Sequence, residues 1–138
     1  MQKQRLPKTM LSTAHKPSIP DTDAGRVLTK AALRAADILE IPQRTLADSI
    51  GVSASTVSRA ANGGAPVDPD SKAGELTRLW VRVFRSLDAI VGSNDVAARA
   101  WLNSSNAAFG GEKPIDRLRS AEGLIQVLQY LDSARARL

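Results

Sequence analysis

The stretch from Leu76 to Val91 constrains the fold of this 138-residue chain more than any other. Leu76, Leu79, Trp80, Val83, Phe84, Leu87, Ile90 and Val91 recur at three- and four-residue steps. That spacing puts them on one broad face of a long helix, with Arg78, Arg82, Arg85 and Asp88 turned outward. A stripe this wide cannot stay in water, so the helix requires partner elements on its apolar side. Apolar residues make up 43% of the chain, enough to supply those partners with a core. No segment shows the two-residue alternation of a half-buried strand. The chain is therefore read as all-α.

Other elements follow from local signals. Residues 1–22 hold Pro7, Pro17 and Pro20 among Lys, Ser and Thr and sustain no period. They read as a flexible basic arm carrying Lys3, Arg5, Lys8 and Lys16. From about Asp23, the residues Val27, Leu28, Ala31, Ala32, Ala35, Ile38 and Leu39 share one helix face, and Pro42 ends or redirects that helix. The run Asn62-Gly63-Gly64-Ala65-Pro66-Val67-Asp68-Pro69-Asp70 is dense in turn residues and reads as a boundary between two helical modules, 23–66 and 67–138. Gly92-Ser93-Asn94 reads as a helix stop and a new cap, with Asp95 suited to the dipole of a short helix through Trp101. Ser120 caps a last helix whose Leu124, Val127, Leu128 and Leu131 lie on one face.

Within the first module, the segment from Thr45 to Ala60 has the spacing of a helix-turn-helix. Ala47 must be small where the second helix crosses, and Gly51 permits a left-handed turn. Leu46, Ile50, Val52 and Val57 point into the angle between the helices, and Ser53 caps the second one. Ser55, Thr56, Ser58, Arg59 and Asn62 then fall on its outward side or near its ends, within reach of a major groove together with Ser53. Arg59 is the best base reader, because a guanidinium can donate two hydrogen bonds to guanine. Gln43, Arg44 and Thr45 open the preceding helix, where side chains and free amides suit phosphate. One such motif reads only a half-site, so a homodimer is expected.

Chemistry of other kinds finds no residues to carry it. The chain has no cysteine and one histidine, His15, which excludes disulfides, thiolate metal sites and a Cys/His nucleophile pair. His15 has no acidic relay nearby, and Asp37, Glu40 and Asp48 are explained as solvated helix faces. Gly63-Gly64 lacks the Lys-Ser/Thr of a phosphate loop. No catalytic residue, metal site or cofactor site is expected, and the chain is read as a non-enzyme. The net charge of +5 is spread over both halves and does not by itself locate a polyanion surface. No apolar run approaches the ~20 residues of a membrane helix, and the N-terminus lacks the apolar stretch of a signal peptide. A cytoplasmic location is expected, with no membrane partner.

Toward the end of the chain stand Trp101-Leu102, a polar stretch to the apolar anchor Phe109-Gly110-Gly111, Pro114-Ile115-Asp116-Arg117-Leu118, and Gly123 in the final helix. This series resembles the toxin-binding domain shared by Xre, MbcA and ParS antitoxins, and residues 27–62 resemble the Xre-type helix-turn-helix. The resemblance implies a type II antitoxin that neutralises a toxin enzyme by direct binding and represses its own promoter at operator DNA. It also implies a RES-type, NAD-consuming toxin, with the antitoxin's last helix and tail at the toxin's active site. Carried onto this sequence, the toxin contacts are Gly123, Gln126, Tyr130, Ser133, Arg135, Arg137 and Leu138. Arg135 and Arg137 are suited to acidic groups in such a cleft. Trp101, Leu102, Phe109, Ile115 and Leu118 are expected in the core, whereas the stripe of Trp80 and Phe84 is broad enough to extend into a dimer interface. The other reading is a dimeric helix-turn-helix repressor without a toxin partner. The two differ in whether the last four residues are needed.

Overall fold

The computed structural model describes residues 23–138. The basic arm expected over residues 1–22, with His15, lies outside the described residues. Among the described residues seven helices follow one another: α1 Asp23–Leu39, α2 Gln43–Ile50, α3 Ala54–Ala61, α4 Lys72–Ile90, α5 Asp95–Leu102, α6 Pro114–Arg117 and α7 Ala121–Arg135, with a 3-10 turn at Ala107–Phe109. Among the described residues there is no strand, and the fold is all-α.

Helix α4 is the axis of the packing. Its exposed positions are Lys72, Glu75, Arg78, Arg82, Arg85 and Ala89, a single narrow outward strip. The rest of its surface is buried or half-buried, with Leu76, Trp80, Val81, Val83 and Leu87 inside the core. Such a helix serves two neighbours at once: α7 covers one side most extensively, and α1 covers another. Trp80 is 2% exposed, and its indole Nε1 donates to the Ala32 carbonyl at 3.2 Å, so burial leaves no donor unpaired. Trp80 therefore belongs to the chain's own core and is not available to a dimer interface, while Phe84 remains half-buried.

Helix α1 rotates its buried face away from the expected one. Gly25, Thr29, Ala32, Ala35, Ala36 and Leu39 are buried, whereas Val27, expected on the core face, is 69% exposed. The small residues explain the shift. Gly25, Thr29, Ala32 and Ala36 line up at four- and three-residue steps and let α4 approach closely, and the Thr29 hydroxyl accepts the Val67 amide at 2.8 Å. Helix α1 stops at Leu39 because Glu40 takes a left-handed conformation, φ 56°, and the Ile41 amide returns to the Ala36 carbonyl. Pro42 then stands at the cap position of α2.

The start and stop residues behave as their chemistry requires. Ser53, Ser71, Asn94 and Ser120 each accept an amide of the first turn that follows. Gly51 ends α2 at φ 79°, where a side chain would be strained.

Three contacts join the helix-turn-helix to the C-terminal helices beyond the shared α4. Ser49 of α2 is fully buried and donates its hydroxyl to the Leu118 carbonyl at the end of α6. Arg99 of α5 donates to the Ile38 carbonyl at 2.8 Å and lies 3.7 Å from the Glu40 carboxylate. Helix α2 also packs directly on α7. Replacing Ser49 by alanine strands a buried carbonyl, which costs about 1–3 kcal/mol. The expected outcome is a Ser49→Ala protein that folds but melts several degrees lower in a thermal unfolding experiment.

Candidate DNA-binding and partner-binding surfaces

The first surface is built by α2, the turn and α3. Helix α3 buries Val57 toward the core and turns Ser55, Ser58 and Arg59 outward. At its N-terminus the Ser53 hydroxyl accepts the Thr56 amide at 3.1 Å and contacts the hydroxyls of Ser55 at 3.1 Å and Thr56 at 2.8 Å. One turn on, Arg59 Nη2 donates to the Thr56 hydroxyl at 3.4 Å. The four side chains form a continuous polar ridge. Asn62 caps the other end, donating to the Ser58 carbonyl at 2.9 Å, and remains exposed.

Gln43 and Arg44 are exposed at the start of α2 and Thr45 is half-buried. Pro42 offers no side-chain acceptor to the first-turn amides of α2. The Thr45 amide returns to the Pro42 carbonyl at 2.9 Å, which leaves the Gln43 and Arg44 amides available to an anion. All nine residues expected on the DNA-reading surface thus stand on or beside two consecutive helices and are exposed or half-exposed. Leu46, Ala47, Ile50 and Val57 hold those helices together from within.

The second surface lies at the C-terminal end. Trp101 stacks on Tyr130 with ring centroids 5.9 Å apart, and Phe109 meets Tyr130 edge-on at 5.4 Å. Phe109 is buried, whereas Trp101 and Tyr130 are half-buried. Arg117 ties this cluster down. It donates to the Glu112 carboxylate, to the Gln126 side-chain oxygen and, at 3.3 Å, to the Phe109 carbonyl, with its guanidinium 5.8 Å from the Phe109 ring centre.

Farther along α7, the Asp132 carboxylate accepts Arg82 at 2.5 Å and the buried Ser86 hydroxyl at 3.1 Å. Arg135 donates to the same Ser86 hydroxyl at 3.3 Å, so the last turn of α7 is fastened to α4. Ser133, Arg137 and Leu138 are exposed, and Arg137 donates to the Ser133 hydroxyl at 3.1 Å. Ile125, 40% exposed, adds an apolar contact to the outer face of α7 that periodicity had not singled out.

Gly123 is placed differently from the other expected toxin contacts. It is buried, and a Cβ there would stand 1.7 Å from the Arg117 carbonyl oxygen. The residue lets α6 and α7 pass in contact, and presents nothing outward. Ser49, Arg117 and Asp132 were missed as organising residues. Only Ser49 carries a sequence signal, a hydroxyl set into the Leu46 and Ile50 face of α2.

Comparison with known families gives both halves a place. Residues 19–77 match the antitoxin Xre-like helix-turn-helix domain, and residues 86–137 match the antitoxin Xre/MbcA/ParS C-terminal toxin-binding domain. The chain belongs to the Xre/MbcA/ParS antitoxins. One match ends and the other begins within α4, with residues 78–85 between them, so both domains of the antitoxin share this helix. Among solved structures, a chain of the M. tuberculosis MbcT–MbcA toxin–antitoxin complex superposes with a TM-score of 0.57 at 21% identity. The match covers 81% of this chain and 96% of that one, a likeness of fold. No curated protein matches by sequence. Among the described residues, no helix is long and apolar enough to cross a membrane, and no group of acidic or histidine side chains is placed to hold a metal.

The close approach at Gly123 yields a direct test. Gly123→Ala must push α6 from α7 at a backbone carbonyl that cannot rotate away, an overpacking cost of about 1–3 kcal/mol or more. Thermal unfolding should show a clear loss of stability in Gly123→Ala.

Proposed function

We propose that this antitoxin neutralises a cognate toxin through the outer face of α7 and the tail, and represses its own promoter through the α2–α3 face. The observation that carries the first part is the uncovered surface within the matched toxin-binding domain. Gln126, Tyr130, Ser133, Arg135, Arg137 and Leu138 stay exposed or half-exposed there, beside Ile125. Aromatic and arginine side chains at a partly dry surface are what protein partners grip most strongly. The Arg135 and Arg137 guanidinium groups, two residues apart at the end of the chain, suit acidic groups in a partner's cleft.

The toxin is proposed to be of the RES type and NAD-consuming, with the C-terminal helix and tail obstructing its active site. Gly123 contributes by shaping the start of that helix. No substrate or cofactor is assigned to the antitoxin itself, whose role is that of a binder acting in the cytoplasm.

For DNA, the polar ridge of Ser53, Ser55, Thr56 and Arg59, with Ser58 exposed beside it, is proposed to enter the major groove, with Asn62 at its end. Gln43, Arg44 and Thr45 meet the backbone phosphates. A homodimer within a larger toxin–antitoxin complex would pair two such faces on a palindromic operator.

Two experiments separate the activities. Co-expression with the product of the neighbouring gene should relieve that protein's toxicity and yield a complex on purification. Removal of residues 135–138 should abolish the relief while leaving the melting temperature within a few degrees. Retention of full neutralisation by the truncated chain would leave the repressor reading as the better one. In an operator-binding titration, Arg59→Ala should weaken specific binding by roughly tenfold or more, the ~1–3 kcal/mol of a bidentate base contact, and relax discrimination at one base pair.

A further inference from the structure

An apolar cavity, partly open to solvent, lies beneath α3 between α1, α2, α4 and the strap of residues 65–68, with a volume of about 190 Å³. Its walls are chiefly apolar, and Leu33, Leu46, Ile50, Val57, Ala60 and Val67 supply most of them. Helix α3 buries a single residue, Val57, and that side chain lines the cavity. An apolar cavity of ~150 Å³ engineered into another protein takes up benzene, so a volume of this size holds one small ring. Apolar walls without protein neighbours forfeit dispersion contacts that a fitting occupant restores.

The polar atoms at the walls narrow the class of occupant. Thr29 and Thr77 reach the cavity with hydroxyls already engaged, Thr29 with the Val67 amide at 2.8 Å and Thr77 with the Ala73 carbonyl at 2.6 Å. Asp68 is the one ionisable residue of the lining, half-buried, with one carboxylate oxygen accepting the Asp70 amide at 2.9 Å. Its other oxygen has no hydrogen-bond partner among the described residues. An anion would be desolvated against a carboxylate, which is unfavourable.

We propose that this cavity is a binding site for a small neutral aromatic molecule bearing one N–H or O–H donor, with its ring among Leu46, Ile50 and Val57 and its donor directed to Asp68. The occupant adds contacts to the inner face of α3 and fixes the helix against α2 and α4. Its effect reaches the outward ridge through the helix itself, and the site stands whether or not that ridge reads DNA.

Indole is the probe and benzoate its anionic control, each added to the full chain. Indole in about tenfold excess over its Kd should raise the melting temperature by about 3 °C or more. It should also shift the NMR methyl signals of Leu46, Ile50 and Val57 ahead of those of Leu124 and Leu131, while benzoate does neither. Ala60→Leu and Ala73→Leu fill the cavity from α3 and α4 respectively. In either variant that folds, the indole response should vanish. Unmoved Val57 and Ile50 methyls at saturating indole overturn the proposal. So does an indole response of undiminished size in a folded filled variant.

Discussion

The fold depends on helix α4 having too much apolar surface for one neighbour. Only a strip running from Lys72 to Ala89 faces solvent, and everything else must be covered from several directions. Helix α7 supplies one cover and α1 another, with Trp80 completing its hydrogen bond on the α1 side. A helix buried this widely cannot belong to a detachable module. Removing either cover exposes apolar area that stabilises the fold at roughly 25 cal/mol per Å².

That constraint makes the antitoxin one packed body with two faces, although two family domains are recognised in it. The polar links follow the same logic. Ser49 crosses from the helix-turn-helix to the Leu118 carbonyl, Arg99 crosses back to the Ile38 carbonyl, and Ser86 on α4 gathers Asp132 and Arg135 from the last helix. Each satisfies a polar atom that apolar packing had already removed from water. The outward ridge of α3 and the outward face of α7 are therefore presented by the same core. The cavity beneath α3 is lined by Leu46, Ile50 and Val57 of that same core.

Much of this architecture was legible in the residue order, because helix signals are local. Caps at Ser53, Asn94 and Ser120, the left-handed Gly51 and the period of Leu124 to Leu131 each act within one or two turns. The helix-turn-helix surface was equally legible, since the residues that must be inside, Leu46, Ala47, Ile50 and Val57, decide which ones remain outside. Periodicity failed where a face could be drawn in two ways. In α1 the apolar Val27 lost its place to Gly25 and Thr29, because close helix contact selects small side chains over larger apolar ones.

The sequence alone determined the helical class, the helix boundaries set by caps and glycines, and the family to which the two halves belong. Tertiary structure decided that Trp80 is interior, that Gly123 is a contact between helices, and that Ser49 and Arg117 hold distant segments together. The reason is the range of the forces involved. Capping and periodicity are satisfied among residues a few positions apart, whereas a buried hydroxyl or a helix crossing is defined by a partner 69 residues away for Ser49, or by a neighbouring backbone for Gly123.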